Sequence, residues 1–286
     1  LLFSGYSFGL TLYLVLWLSS IEQLLTASLD TSGNSVLTIL FGTIVESSEY
    51  KRILLKLSRE WLANREKKLS IDYDLVVKLA EQLKEIVKQK IQIAIVVGGG
   101  NLWRGASAEK NGIPRSKADY IGMIATIMNA LALESIFENS CGLKAKVMCS
   151  VNIDQKIAEP FNLENANKYL ENGEIVIMAG GIGRPYFTTD TAATLLASEI
   201  KAEVLLLGKN GVDGIYDSDP KINPNAVHFG EIGYDEILKR KLQVMDSTAV
   251  AMAKDNNIKL LVFNVGGENS IVNAIKKNGK FTIVKN

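Results

Sequence analysis

The stretch Ile91-Gln-Ile-Ala-Ile-Val-Val97 runs directly into Gly98-Gly-Gly-Asn-Leu-Trp-Arg104-Gly105. An apolar, β-branched run of this length predicts a buried strand. Three glycines let the backbone turn sharply and bring bare N–H groups close to a ligand, and Arg104 adds a permanent, planar positive charge. The stretch therefore indicates an anion site, with phosphate as the favoured anion, at the end of a sheet strand. A plain strand-to-helix turn would use the same glycines.

Strands and helices alternate along the chain from Tyr50 onward. Short apolar runs predict strands, and apolar residues spaced three and four apart predict helices. The predicted strands are 52–57, 91–97, 146–151, 174–179, 203–207, 259–265 and 280–284, and the predicted helices are 72–90, 116–138, 163–171, 189–201, 234–241 and 247–256. We expect Asp72, and Thr188 or Thr189, to act as helix N-caps. Repeated β-α-β units predict an α/β fold, a three-layer α/β/α sandwich around a mostly parallel sheet.

The composition argues against nucleic-acid binding and against a Cys/His zinc site. The 286 residues carry 32 Lys and Arg against 31 Asp and Glu, a net charge of +1, which gives no electrostatic case for nucleic-acid binding. With one histidine and two cysteines, a Cys/His zinc site lacks ligands. We expect His228 to lie in a surface loop. Cys141 and Cys149 are expected to be buried, reduced thiols of a cytosolic protein.

Residues 1–49 differ from the rest of the chain. They contain no Lys or Arg, and residues 1–21 carry no charge at all, so this segment is long and apolar enough to span a bilayer. We predict an apolar N-terminal extension over 1–49 and a catalytic domain over 50–286. A membrane anchor and an appendage without a role in the chemistry both stay open, and the second is favoured. Membrane contact is expected only through residues 1–21.

Groups suited to phosphate chemistry are expected to meet at one edge of the sheet. The chain has neither GxxxxGK[ST] nor GxGxxG after a strand, which argues against a P-loop or a dinucleotide site. Ligands bind at the carboxyl ends of parallel strands, where Lys56, Gly98–Gly100, the glycines of 180–183 and the helix start Thr188-Thr-Asp-Thr191 fall. Phosphoryl transfer needs such cations and N–H groups around the migrating charge. Asp190 could orient Lys56 or hold a water molecule bound to Mg²⁺. Alternatively, Asp190 could only cap the helix, and Lys56 could be an ordinary surface lysine at the end of a strand.

A turn-rich loop follows the strand at 203–207. It reads Val212-Asp-Gly-Ile-Tyr216 and continues as Asp217-Ser-Asp-Pro220. Its tyrosine could stack on a base and its backbone could line an adenine slot, while an ordinary surface loop would have the same composition.

Six motifs lie in order along residues 50–286. They are Tyr-Lys-Arg-Ile-Leu-Leu-Lys-Leu-Ser (50–58), Val-Val-Gly-Gly-Gly-Asn-Leu-Trp-Arg-Gly (96–105), Ala-Asp-Tyr-Ile-Gly-Met-Ile-Ala-Thr-Ile-Met-Asn-Ala-Leu-Ala-Leu (118–133), Pro-Tyr-Phe-Thr-Thr-Asp-Thr-Ala-Ala (185–193), Lys-Asn-Gly-Val-Asp-Gly-Ile-Tyr (209–216) and Val-Met-Asp-Ser-Thr-Ala (244–249). Together they resemble the bacterial uridylate (UMP) kinases of the amino-acid kinase family, and the third motif is highly specific for this subgroup. The resemblance implies the amino-acid kinase fold.

The resemblance also implies an activity and a site. The activity is transfer of the γ-phosphate of ATP to UMP, giving UDP and ADP in de novo pyrimidine synthesis, with Mg²⁺ that arrives with ATP and has no dedicated protein site. Lys56 and Asp190 would be the catalytic pair. The implied UMP-binding residues are Gly98, Gly99, Arg104, Asp119, Gly181, Ile182 and Thr189. The implied ATP-binding residues are Lys56, Ser58, Gly100, Lys209, Asn210, Tyr216 and Asp219. A cytoplasmic homohexamer, activated by GTP, inhibited by UTP and joined through the helix at 116–138, is implied as well.

The chain departs from the family pattern at three positions. Arg59 stands where the family has glycine, and Gly181-Ile-Gly-Arg-Pro185 replaces the family's Gly-Thr-Gly-Asn-Pro. Ile182 lacks the hydroxyl of the family's threonine, and Arg184 has a charge where the family's asparagine has an amide. We expect these changes to affect UMP affinity and the effector response. Two alternatives stay open: a kinase that forms an acyl phosphate on carbamate or acetylglutamate, and a non-catalytic relative that binds oxyanions or nucleotides, which Arg59 would favour.

Overall fold

The structure, a computed structural model, describes residues 49–58, 61–64, 66–105 and 111–286. All statements below concern the unit of the chain that begins at Ser48. Residues 1–48 of the predicted extension and Arg59 lie outside the described residues, so the predictions made for them stay predictions.

One large sheet organises the described part of the chain. Its strands are β1 (Arg52–Leu57), β2 (Gln92–Val97), β3 (Ala145–Cys149), β4 (Glu159–Pro160), β5 (Ile175–Ala179), β6 (Val204–Lys209), β9 (Glu231–Gly233), β10 (Leu260–Asn264) and β11 (Phe281–Lys285), while β7 (Ile215–Tyr216) and β8 (His228–Phe229) form a separate antiparallel pair. The order across the sheet is β4-β3-β5-β2-β1-β6-β10-β11-β9. Neighbours run parallel except β10 and β11. The mostly parallel sheet is confirmed.

Helices cover both faces of this sheet. They are α1 (Tyr73–Lys88), α2 (Arg115–Cys141), α3 (Leu163–Glu171), α4 (Thr189–Glu199), α5 (Tyr234–Arg240), α6 (Ser247–Asp255) and α7 (Ser270–Ile275). Successive strand residues point to opposite faces. Thus Ile53 and Leu55 of β1 pack into one cluster with α1, α2 and α7, whereas Leu54 packs into another with α3, α4, α5 and α6. The three-layer sandwich is confirmed.

The predicted elements are confirmed to within a few residues at their ends. Asp72 caps α1 by accepting from the Asp74 N–H, and Thr188 caps α4. The two- and three-residue strands β4, β7, β8 and β9 and the short helix α7 were not predicted, because segments this short carry no readable periodicity. Both cysteines are buried free thiols, as predicted.

The prediction that His228 lies in a surface loop is wrong. It belongs to β8, is half-buried, and packs edge-on against the Tyr216 ring at 5.1 Å between ring centroids. Its Nε2 lies 3.3 Å from Thr282 Oγ1. Polar neighbours in sequence suggested a loop, but pairing with β7 is a long-range contact that local composition does not encode.

Helix α2 is long and apolar enough to span a membrane by length and composition alone. Ile127, Leu133 and Phe137 on one side of it are buried in the core cluster. The opposite side exposes Tyr120, Ile124 and Met128. The apolar character is therefore that of a helix covering a sheet, with an additional apolar surface facing outward.

Candidate active site

Lys56 and Asp190 form an ion pair at the carboxyl edge of the sheet. Lys56 pairs in register with Val96 on one side and Leu207 on the other, in the middle of the sheet. It shares the strand face of Leu54, which is the face covered by α4. Its Nζ lies 2.6 Å from Asp190 Oδ1, and the two side chains are only 11% and 18% exposed. A pair this sheltered from solvent is screened much less than a surface pair.

The N-terminus of α4 holds Asp190 in place. The Thr188 side chain accepts from the N–H groups of Asp190 (3.1 Å) and Thr191 (3.3 Å). The hydroxyl groups of Thr188 and Thr191 donate in turn to the Asp246 carboxylate. Asp246 also caps α6 through the Ala249 N–H at 3.0 Å. This residue ties the starts of two helices together. The site prediction did not include it, although it belongs to the motif at 244–249.

The first glycine turn lies against α2. A Cβ on Gly99 would come within 2.7 Å of the Gly122 carbonyl oxygen and 2.9 Å of Ala125 Cβ, so only glycine allows this approach. The Asn129 side chain, fully buried, donates to the Gly98 carbonyl at 2.7 Å and exchanges hydrogen bonds with Asn101. Asn129 fixes the shape of the turn, and it too was absent from the predicted site.

The second glycine turn is anchored to the same helix. Gly180 donates its N–H to Thr126 Oγ1 at 2.8 Å. Gly180 has φ +80°, and a Cβ there would come within 2.7 Å of Ser150 Oγ. One helix, α2, thus positions both glycine turns, which come from separate strands.

Asp119, near the start of α2, is engaged on two sides. Arg115 Nε donates to both of its carboxylate oxygens, at 3.0 and 2.9 Å, and the Tyr186 N–H donates to Oδ2 at 2.8 Å. The Arg115 guanidinium also lies over the Tyr186 ring, 5.7 Å from its centroid. The carboxylate joins α2 to the loop after the second glycine turn.

These groups surround a cavity of about 480 Å³, here called the Lys56 cavity. Of the residues predicted to bind UMP or to act in catalysis, it brings together Lys56, Gly98, Gly99, Asp119, Gly181, Ile182, Thr189 and Asp190. Ser58 and Gly100, predicted for ATP, also line it, as does Arg184. Arg104 is exposed and is not part of its wall.

A second cavity, of about 400 Å³, is lined by Lys209, Tyr216 and Asp219 and by the segment 240–244; we call it the Tyr216 cavity. The Lys209 ammonium donates to the Val244 carbonyl. Burial lowers the pKa of Lys209, the Asp190 carboxylate opposes that effect and the Lys56 charge adds to it. Lys209 therefore lies within electrostatic reach of the Lys56–Asp190 pair. Asn210, predicted for ATP, is exposed and lines neither.

The described residues contain no group of three or more His, Cys, Asp or Glu side chains that could hold a metal ion. Ser58 Oγ is buried and has no hydrogen-bond partner within the described part of the chain. A buried hydroxyl in that state is costly unless a ligand satisfies it, and this one lies in the wall of the Lys56 cavity.

Residues 51–264 match the model of the amino acid kinase family, and the chain belongs to that family. Within it, the uridylate kinase of Mycoplasmopsis synoviae (strain 53) is 65% identical over 234 residues, which cover 82% of this chain and 97% of that protein. The resemblance to the uridylate kinases is confirmed.

Solved structures agree in fold. The crystal structure of UMP kinase from Ureaplasma parvum superimposes with a TM-score of 0.78 at 42% identity, covering 83% of this chain and 99% of that one. UMP kinase from Bacillus anthracis gives a TM-score of 0.78 at 35% identity, with 82% and 96% covered. The amino-acid kinase fold is confirmed.

Proposed function

We propose that the chain transfers the γ-phosphate of ATP to UMP, giving UDP and ADP. The observation that carries this proposal is the Lys56–Asp190 pair at 2.6 Å, which lies in the wall of the Lys56 cavity and within electrostatic reach of Lys209 in the wall of the Tyr216 cavity. UMP would occupy the Lys56 cavity and the ATP base the Tyr216 cavity. The high identity to proteins named uridylate kinase supports the choice of acceptor.

The proposed reaction is an in-line displacement. An oxygen of the UMP phosphate forms a bond to the γ-phosphorus, the bond from that phosphorus to the β,γ-bridging oxygen breaks, and its electron pair leaves with ADP. The attacking oxygen is already ionised, so positioning and charge stabilisation supply the catalysis. Lys56 stabilises the negative charge of the migrating group, and Asp190 holds the ammonium where that charge develops.

Each predicted site residue takes a role consistent with its chemistry. The N–H groups of Gly98, Gly99 and Gly181 and the α4 start at Thr189 would bind phosphate. Asp119 would accept hydrogen bonds from the ribose hydroxyls, and Ile182 would contact the base. Arg104, exposed beyond the first glycine turn, would reach the UMP phosphate from the solvent side.

On the ATP side, the phosphates would lie along Gly100 and the Ser58 hydroxyl. Lys209, Asn210, Tyr216 and Asp219 would surround the nucleoside. The described residues contain no cluster of carboxylates that could hold a metal ion. Mg²⁺ would therefore be held mainly by the ATP phosphates and water, with Asp190 as the nearby carboxylate. When bound, the Mg²⁺ ion would neutralise phosphate charge.

An ADP-release assay with ATP, Mg²⁺ and a panel of UMP, CMP, carbamate and acetylglutamate tests the proposal. We expect turnover with UMP and at least tenfold lower kcat/KM with CMP. Turnover of carbamate or acetylglutamate would instead identify an acyl-phosphate-forming kinase. Nucleotide binding without any turnover would identify a non-catalytic relative, and either result would overturn the proposal.

We further propose a cytoplasmic homohexamer that GTP activates and UTP inhibits. The exposed apolar side chains Tyr120, Ile124 and Met128 on α2 support a subunit contact there, because monomers rarely expose such a row. Light scattering on purified protein tests the assembly. Ile124→Lys is expected to break it into smaller species, and a monomeric wild type would contradict the proposal.

A further inference from the structure

Tyr216 is held by a cluster of side chains behind the Tyr216 cavity. Its hydroxyl donates to the Asp213 carboxylate and accepts from Lys280 Nζ at 2.8 Å. Lys280 Nζ also lies 3.3 Å from Asp213 Oδ2 and 5.0 Å from the Tyr216 ring centroid. The His228 ring meets the same tyrosine edge-on. The aromatic ring is therefore constrained through its hydroxyl and by its contact with the His228 ring.

Lys280 is far from this cluster in sequence and reaches it only through the fold. It immediately precedes β11, which pairs with β10, whereas Asp213 and Tyr216 belong to the segment after β6. Tyr216 lines the cavity, but Lys280 does not. Tyr216 is therefore the residue through which the side-chain contacts of Lys280 reach the wall of that cavity.

An exposed ion pair by itself contributes little to stability, and Lys280 and Asp213 are 51% and 37% exposed. The contacts of Lys280 with Tyr216 indicate that it restricts the orientation of the tyrosine ring. An aromatic ring binds a base best when its orientation is fixed before the ligand arrives, because ordering it on binding costs affinity. A hydroxyl held by two partners and a ring packed against His228 leave the tyrosine little rotational freedom.

We propose that Lys280 is a positioning residue for ATP: it fixes the Tyr216 ring in the orientation that receives the adenine base. The identity of the base as adenine rests on the proposed function. Lys280 touches neither the phosphates nor the acceptor, so its effect falls on ATP binding and leaves UMP binding and the transfer step nearly unchanged.

The test measures KM for ATP, KM for UMP and kcat, together with ATP binding by calorimetry in the absence of UMP. For Lys280→Met we expect KM and Kd for ATP to rise about five- to tenfold, with kcat and KM for UMP within about twofold. Lys280→Arg keeps the cation and is expected to restore most of the ATP affinity. Lys276→Met is the matched control, since it removes an exposed lysine from the same end of the chain.

A double-mutant cycle identifies the route of the effect. In a Tyr216→Ala background, Lys280→Met should change ATP affinity by less than about twofold, because the ring that it positions is gone. Equal effects in both backgrounds would overturn the proposal, and so would a Lys276→Met effect as large as that of Lys280→Met. If wild type binds ATP but does not phosphorylate UMP, the proposed function fails, while the calorimetric comparison still decides the role of Lys280.

Discussion

The two cavities are built in different ways. The walls of the Lys56 cavity are fixed from behind by buried groups: Asn129 holds the first glycine turn and Thr126 the second, and both residues lie on α2. The Tyr216 cavity is fixed by half-exposed charges, Asp213 and Lys280, on segments outside the central strands. The first is a rigid frame of backbone and buried amide, and the second a set of surface contacts around one tyrosine.

This difference predicts how well the residues behind each cavity should tolerate substitution. Buried hydrogen bonds are expensive to remove because the partner left behind cannot turn to water. Exposed pairs are screened and replaceable. Substitutions behind the Lys56 cavity should therefore cost stability as well as activity, whereas those behind the Tyr216 cavity should alter mainly ligand affinity, with small effects on stability.

The largest expected effect concerns the Lys56–Asp190 pair in the wall of the Lys56 cavity. Asp190→Asn keeps the shape of the side chain but removes the charge that holds Lys56. We expect kcat with UMP to fall about 10²- to 10⁴-fold, while the protein still folds, because Thr188 still caps α4. Asp255→Asn, at the exposed end of α6, is the control. An unchanged kcat would remove Asp190 from the mechanism.

Gly99→Ala tests the close approach of the first glycine turn to α2. The added Cβ would meet backbone at 2.7 Å, so either the turn or the helix must move. We expect a loss of about 1–3 kcal/mol in the free energy of unfolding, together with a higher KM for UMP. Gly122→Ala is the matched control, since its Cβ would meet only Trp103 Cδ1 at 3.9 Å. Equal stabilities of the two variants would show that the turn is not under this constraint.

Asn129→Ala leaves the Gly98 carbonyl and the Asn101 amide without their buried partner. The expected cost is about 1–3 kcal/mol of stability, read from urea unfolding, and KM for UMP should rise more than KM for ATP. Asn139→Ala on the exposed end of α2 provides the comparison. If KM for ATP rose as much as KM for UMP, the separate construction of the two cavities would be contradicted.

The smallest effect is expected behind the Tyr216 cavity. Burial, with a further contribution from the Lys280 charge, lowers the pKa of His228 below its usual value of 6.5. The folded state then binds fewer protons than the unfolded chain, so this contribution to stability is present above pH 6.5 and is lost as the pH falls through the lowered pKa. Between about pH 7.5 and 5.5, wild type should lose about 1–2 °C more in Tm than His228→Asn. A larger loss of Tm in His228→Asn than in wild type would contradict the prediction that protonation of His228 destabilises the folded state.

Much of the Lys56 cavity could be predicted from the sequence. Lys56, the glycines of 98–100 and Asp190 each follow a strand or open a helix, and in a parallel sheet those positions meet at one edge. Asn129 and Asp246 could not be found in this way. Their function lies in which carbonyl or hydroxyl they bond, and those partners are 31 and 58 residues away in sequence.

The sequence by itself determined the α/β sandwich, the carboxyl edge at which the phosphate-binding groups gather, and the family. These follow from periodicities and short motifs, which are local properties of the chain. Only the tertiary structure decided that α2 holds both glycine turns and that Lys280 and His228 converge on Tyr216. Each of those contacts joins residues brought together by strand pairing and helix packing, whose register depends on the whole core.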